Sequence, residues 1–223
     1  MKVLLVGGGG REDALGWKIA QSPELSKLYL APGGPRLNHI GERLSISEGD
    51  IEALADFAAE KALDLVVVGP EAPLAAGLGD ALRAYDGDKG PNTGGMGAYS
   101  PAPVFTDAVY KRTMKELIEP VVAEMKKRGT PYVGVLYAGL MIENEQPRLV
   151  EFNARFGDPE CQLLMRRMRS DILPLLYRAA TGELGGAEIE WDDNAAALVV
   201  MAADGYPGSY KKGSEINSID KAE

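Results

Sequence analysis

The sequence predicts an α/β protein built on a parallel sheet, and three observations carry that prediction. Residues 2–6 and 64–68 are short, nearly continuous apolar runs, the pattern of parallel strands buried on both faces. Stretches of helical period follow each of them, so strands alternate with helices. Glycine- and proline-rich turns punctuate the joints. At 223 residues, 45% of them hydrophobic, the chain is long enough for one large domain or two small ones, each with its own core.

The first strand, residues 2–6, stops at four glycines, Gly7 to Gly10. A helix is predicted over 12–21, with Leu15, Trp17 and Ile19 as its apolar anchors. The second strand, 27–30, closes in Ala31-Pro32-Gly33-Gly34-Pro35. Residues 51–63 form an amphipathic helix for which Asp50 is the N-cap. The third strand is 64–68, and a helix over 74–84 completes a first domain at residues 1–84. The first and third strands, both apolar throughout, are expected to pair in parallel.

The texture then changes to a glycine-rich loop, 86–97, extended by Ser100-Pro101-Ala102-Pro103. Residues 106–128 read as a long helix that Pro120 kinks or divides. Residues 132–142 and 148–153 read as two strands of an antiparallel hairpin turning through 143–147. Helices are predicted near 159–168 and 171–180, and a last apolar strand over 195–203. A second unit therefore covers 85–190, and 191–223 begins a third.

Charge and composition exclude several functions. The net charge is -9, so the chain repels nucleic acid unless it carries a local basic patch. Arg166, Arg167 and Arg169 make the one dense basic cluster, read as a solvated helix face. The single cysteine, Cys161, rules out an internal disulfide and reads as a small buried hydrophobe. His39 is the only histidine and reads as solvated. The N-terminus lacks signal-peptide features, and no apolar run approaches the ~20 residues of a membrane helix. A soluble, cytoplasmic protein with neither nucleic acid nor membrane as partner is expected.

Three constellations can carry chemistry. The glycines between the first strand and helix let backbone approach a ligand, and free N–H groups at a helix start attract an anion. Glu12 stands where a dinucleotide fingerprint needs glycine, and the second strand ends in Leu30-Ala31-Pro32 without an acid, so nicotinamide and flavin binding are rejected. A phosphate of a smaller ligand and a tight turn without ligand remain open readings. Gly69-Pro70-Glu71-Ala72-Pro73-Leu74 follows the third strand; Glu71 is either an acceptor for ribose hydroxyls or a solvated residue of a rigid turn. In Leu149-Val150-Glu151-Phe152-Asn153-Ala154-Arg155-Phe156-Gly157-Asp158-Pro159, strand alternation puts Glu151 and Asn153 on one face, with Val150 and Phe152 turned to the core. A carboxylate beside an amide oxygen suits Mg²⁺, and Arg155, one step further, suits a carboxylate or phosphate.

Together these segments resemble the glycinamide ribonucleotide synthetases of the ATP-grasp superfamily. The resemblance rests on Val6-Gly7-Gly8-Gly9-Gly10-Arg11-Glu12, Val68-Gly69-Pro70-Glu71-Ala72-Pro73-Leu74, Gly90-Pro91-Asn92-Thr93-Gly94-Gly95-Met96-Gly97-Ala98-Tyr99-Ser100-Pro101, Glu151-Phe152-Asn153-Ala154-Arg155-Phe156-Gly157-Asp158-Pro159-Glu160 and Gly205-Tyr206-Pro207-Gly208-Ser209-Tyr210. They stand in the family's order and span nearly the whole chain.

The resemblance implies an N-terminal parallel α/β domain (Rossmann-like, pre-ATP-grasp) followed by a partial ATP-grasp α+β domain. It implies an ATP-dependent ligase that joins glycine to phosphoribosylamine through glycyl phosphate, with Mg²⁺ or Mn²⁺ as cofactor. By this likeness Glu151 and Asn153 are the metal ligands, and Arg155 and Asp158 act at the reacting groups. Asn92, Thr93, Gly94, Gly95, Gly157 and Pro159 line the pocket for glycine and phosphoribosylamine, while Gly9, Gly10 and Glu71 hold the ribose phosphate.

The chain also departs from the family. Arg83-Ala84-Tyr85 runs directly into Asp86-Gly87-Asp88, where members carry the lysines and flap that grip ATP. Asp13 replaces the usual histidine, and Gly34-Pro35-Arg36 is unlike the family's loop; the added negative charge of Asp13 weakens phosphate binding nearby. Impaired activity and self-association through newly exposed surface are therefore expected. A non-catalytic module that binds nucleotide or sugar phosphate is the alternative.

Overall fold

The computed structural model describes residues 1–70, 96–206 and 209–217. The predicted helix over 74–84, together with Glu71, Asn92, Thr93, Gly94 and Gly95, lies outside the described residues. The first sheet has four parallel strands in the order β3-β2-β1-β4, namely β1 (Lys2–Gly7), β2 (Lys27–Pro32), β3 (Glu42–Arg43) and β4 (Leu65–Val68). As expected, β1 pairs in parallel with β4, Val3 opposite Leu65 and Val6 opposite Val68. The two-residue strand β3 was not legible, because so short an edge has no periodicity of its own.

Alternation along β1 divides the core into two layers. Val3 and Leu5 join Leu15 and Ile19 of α1 (Gly10–Ile19) on one face. Leu4 and Val6 join Leu54 of α2 (Ile51–Glu60) on the other, where Tyr29 and Phe57 meet edge-to-face at 5.1 Å. The cap of α2 is as predicted: Asp50 Oδ1 accepts from the Ala53 N–H at 3.1 Å. Trp17 is not an anchor of α1. It is 46% exposed, on the helix face turned from the sheet.

Later elements complete the same core. Helices α5 (Glu160–Arg167) and α6 (Ile172–Thr181) bring Cys161, Met165, Ile172 and Leu173 into the layer holding Val3 and Leu5. The start of α6 is fixed by Asp171, which accepts from the Leu173 N–H at 3.0 Å and from the Ser22 hydroxyl at 2.6 Å. Asp171→Ala removes both bonds and is expected to cost about 1–2 kcal/mol. Asp171→Asn, which keeps a capping oxygen, should cost less; urea unfolding of the two variants measures the difference.

Pro120 divides the long helix as predicted. It lacks an N–H and crowds the carbonyl four residues back, so α3 (Asp107–Thr113) passes through a π-helical turn, Met114–Ile118, into α4 (Glu119–Lys127). Strands β6 (Tyr137–Glu143) and β7 (Gln146–Asn153) form the predicted hairpin. Its turn is shorter than expected: Asn144 and Glu145, with φ of 49° and 59°, close it as a two-residue turn. The strand predicted over 195–203 is β8 (Ala196–Val199), which pairs antiparallel with β5 (Gly97–Ser100). In the sequence β5 reads as loop, because a strand of Gly-Ala-Tyr-Ser carries little apolar pattern.

Two further sequence readings need correction. The register of the hairpin shifts between Gly139 and Leu140, leaving Val150 without an opposite residue. The alternation therefore breaks, and Val150 is 58% exposed rather than in the core. In the basic cluster Arg166 and Arg169 are exposed, but Arg167 is tied to the β5–β8 layer. It donates to the Ser100 hydroxyl at 2.6 Å and to the carbonyls of Asp192 and Asn194 at 2.7 and 3.0 Å.

Candidate active site

The carboxyl ends of β1 and β4 meet at a buried acid. Gly7, with φ of 117°, turns the chain out of β1, and a side chain there would lie 2.6 Å from Glu12 Cγ. A methyl on Gly69 would likewise run into the Glu12 carboxylate. Only glycine at both positions leaves Glu12 room between the strand ends. Its Oε2 accepts from the Gly9 N–H at 2.7 Å, and its Oε1 pairs with Arg11 Nε at 2.7 Å. Arg11 also donates to the Phe156 carbonyl at 3.3 Å, joining this loop to the turn after β7. The Gly9 N–H is thus already engaged, and the space a dinucleotide's pyrophosphate takes is filled by Glu12. Gly10 opens α1, with the Gln162 side chain against it.

The second corner is the end of the hairpin. Gly139 stands opposite Glu151, and Tyr137 opposite Asn153. Glu151 and Asn153 lie on one face, as alternation predicts at these two positions: Asn153 Nδ2 donates to Glu151 Oε1 at 2.9 Å. That contact leaves the amide oxygen and the second carboxylate oxygen as hard donors. β7 ends at Asn153, so alternation does not carry to Arg155, whose Nη1 donates to the Phe156 carbonyl at 3.0 Å. Asp158 is exposed and accepts from Gln162 Nε2 at 2.8 Å. Gly157 and Pro159 are buried, and α5 starts immediately after them.

Sequence reasoning missed two residues of this corner. The Tyr137 hydroxyl donates to Glu160 Oε1 at 3.2 Å. Burial raises the phenol's pKa above its ordinary value, with further upward contributions from Glu160 and Glu151 and an opposing one from Arg155. Tyr137, Glu151, Arg155 and Glu160 therefore share one electrostatic neighbourhood. A side chain on Gly157 would lie 3.0 Å from the Tyr137 ring and strike Glu160, which is why glycine stands there. The cross-strand position of Tyr137 becomes legible only once the hairpin register is known.

Cys161 has no part in the chemistry. Burial pushes its thiol up to about 12, and its Sγ lies 3.9 Å from the Arg11 carbonyl. Among the described residues no three His, Cys, Asp or Glu side chains gather as a metal cluster, and no helix is long and apolar enough to cross a membrane. A site built from one carboxylate and one amide oxygen is the kind Mg²⁺ occupies together with phosphate oxygens.

Comparison with known proteins fits this arrangement. Residues 1–94 match the family model described as phosphoribosylglycinamide synthetase, N domain, and residues 51–161 match that of the ATP-grasp (A) domain. The chain is 37% identical to a phosphoribosylamine–glycine ligase of Rhizobium meliloti over 353 residues, covering 100% of this chain and 84% of the relative. It is 33% identical to the Salmonella typhimurium ligase over 358 residues, covering 100% and 83%. A crystal structure of the Thermotoga maritima ligase superposes with a TM-score of 0.67 at 20% identity, covering 96% of this chain and 83% of that one. The Rhizobium alignment runs over 353 residues against a chain of 223, so at least 130 aligned positions have no residue here. With both family models matched in order and relatives aligned along its whole length, the chain belongs to the phosphoribosylamine–glycine ligase family of ATP-grasp enzymes.

Proposed function

We propose that this chain works at the family's ligation, the ATP-dependent joining of glycine to phosphoribosylamine, with activity weakened by the missing segment. The supporting observation is the gap of at least 130 aligned positions beside an intact hairpin corner. In this reading a glycine carboxylate oxygen takes the γ-phosphoryl group of ATP, giving glycyl phosphate and ADP. The amine then attacks the acyl carbon, forming the amide and releasing phosphate and a proton. Glu151 and Asn153 would hold Mg²⁺ or Mn²⁺, and the bound cation would neutralise phosphate charge. Arg155 orients the anionic acyl phosphate, and Asp158, steadied by Gln162, faces the amine. Gly157 and Pro159, and with them Asn92, Thr93, Gly94 and Gly95, are assigned by family likeness to the glycine pocket. Gly9, Gly10 and Glu71 are assigned by family likeness to the ribose phosphate.

Phosphoryl transfer depends on positioning and on cancelling phosphate charge. A chain with metal ligands but fewer groups around ATP keeps part of that. A coupled assay for ADP release that requires both glycine and phosphoribosylamine is expected to give slow turnover. Nucleotide binding without any such turnover would favour the non-catalytic module instead. Self-association belongs to the same proposal: Met141, Val150, Val199 and Met201 are exposed apolar residues. Sedimentation velocity should detect association that rises with concentration.

A further inference from the structure

The hairpin of β6 and β7 has two faces, and the ligation proposed above uses one of them. Gly139 stands opposite Glu151, and successive residues of a strand point to opposite faces. Ala138, Leu140 and Ile142 therefore share the face turned away from Glu151. They form one side of a groove of about 610 Å³. α3 and the π-helical turn after it form the other side, through Tyr110, Thr113, Met114 and Ile118. That volume is in the range of small-molecule sites. None of the residues that line it is assigned to the ligation.

Two features set this groove apart from a finished core. The first is incomplete cover: Ala138, Leu140, Ile142, Met114 and Ile118 are only partly buried. Phe105 and Tyr110, which also line the groove, are exposed and meet edge to face at 6.4 Å. The second is Thr113. It is 4% exposed, yet its hydroxyl oxygen makes no hydrogen bond among the described residues, not even to the carbonyl one turn back. A buried hydroxyl without a partner opposes folding, and valine has nearly the same shape without that cost. The lining carries no charged side chain, so an ionic ligand would give up its water there without gaining a counter-charge.

We propose that this groove binds a small neutral molecule with an apolar body and a single hydroxyl or carbonyl oxygen. The oxygen pairs with the Thr113 hydroxyl, which can both donate and accept. The body lies along Ala138, Leu140 and Ile142, with a ring packed against Phe105 and Tyr110. Met114 is an adaptable wall, and π-helical turns such as this one are frequent at functional sites.

The probe is para-ethylphenol, with para-ethylbenzoate as the charged control. Each is titrated in EDTA, without nucleotide, glycine or sugar phosphate, so the outcome does not depend on the ligation. NMR of the methionine and isoleucine methyl groups reports binding at Met114 and Ile118. Saturable shifts of both are expected with the phenol at millimolar concentration or below, and the benzoate should bind about tenfold more weakly or worse. Thr113→Val should weaken the phenol by about fivefold, the loss of one hydrogen bond, while raising the urea midpoint of the free protein. A merely structural threonine would not move these two readouts in opposite directions. Methyl groups that do not shift, or a Thr113→Val protein that keeps full affinity or loses stability, would overturn the proposal. So would shifts reproduced by raising the protein concentration alone, which would make the groove an interface between copies of this chain.

Discussion

Replacing Glu12 with alanine is expected to lower folding stability by about 3–5 kcal/mol, the cost of leaving a buried charge without its partner. Glu12 is 2% exposed and Arg11 is 8% exposed. Removing the acid strands the Arg11 guanidinium between the strand ends and frees the Gly9 N–H. It also opens a hole where Gly7 and Gly69 had made room. Glu12→Gln keeps the shape and a hydrogen-bond acceptor while losing the charge, so it should cost less than alanine. Guanidinium unfolding of the three proteins orders them directly. Equal stability of all three would mean that the pair is solvated in solution.

The second large effect concerns the metal. Glu151→Gln is expected to weaken Mn²⁺ binding in the presence of ATP on the order of 10–100-fold, since an amide attracts a hard cation far less than a carboxylate. Water-proton relaxation in Mn²⁺ titrations measures this without any turnover. Val150→Ala is the matched control. Because Val150 is exposed, its removal should change stability by no more than about 0.5 kcal/mol and leave metal affinity intact. A Glu151→Gln protein that binds Mn²⁺ like the unaltered chain would remove Glu151 from the metal site.

Much of the N-terminal half was legible because its signals are local. β1 and β4 are apolar runs ended by glycine, and Asp50 stands at the one position where its side chain caps α2. What was not legible depends on partners distant in sequence. β5 becomes a strand only because β8, about a hundred residues later, supplies its hydrogen bonds. Trp17 has the helical spacing of an anchor, but the sheet is covered by Leu15 and Ile19, and Trp17 falls on the outer face. Val150 obeyed alternation until the register shift removed its partner.

The candidate site divides in the same way. That Glu151 and Asn153 share a face is legible because residues two apart on a strand do so. Tyr137 and Glu160 were missed because their meeting depends on hairpin register and on the turn through Gly157, which no spacing rule encodes. In the sequence Glu12 reads as a break in a dinucleotide motif and as the end of the family-like segment that starts at Val6. Its burial and its pairing with Arg11 come from the close approach of β1 and β4.

Calorimetric titration of the intact chain with ATP, with and without Mg²⁺, tests the central claim most directly. On the proposed reading, a family member with Glu151 and Asn153 as metal ligands but with fewer groups around ATP should bind Mg-ATP weakly. The expected dissociation constant is millimolar, about -4 kcal/mol, and the heat should be lost when Mg²⁺ is withheld. No metal-dependent binding up to several-fold above that range, on the order of ten millimolar, would contradict the account and leave the hairpin corner without its proposed ligand.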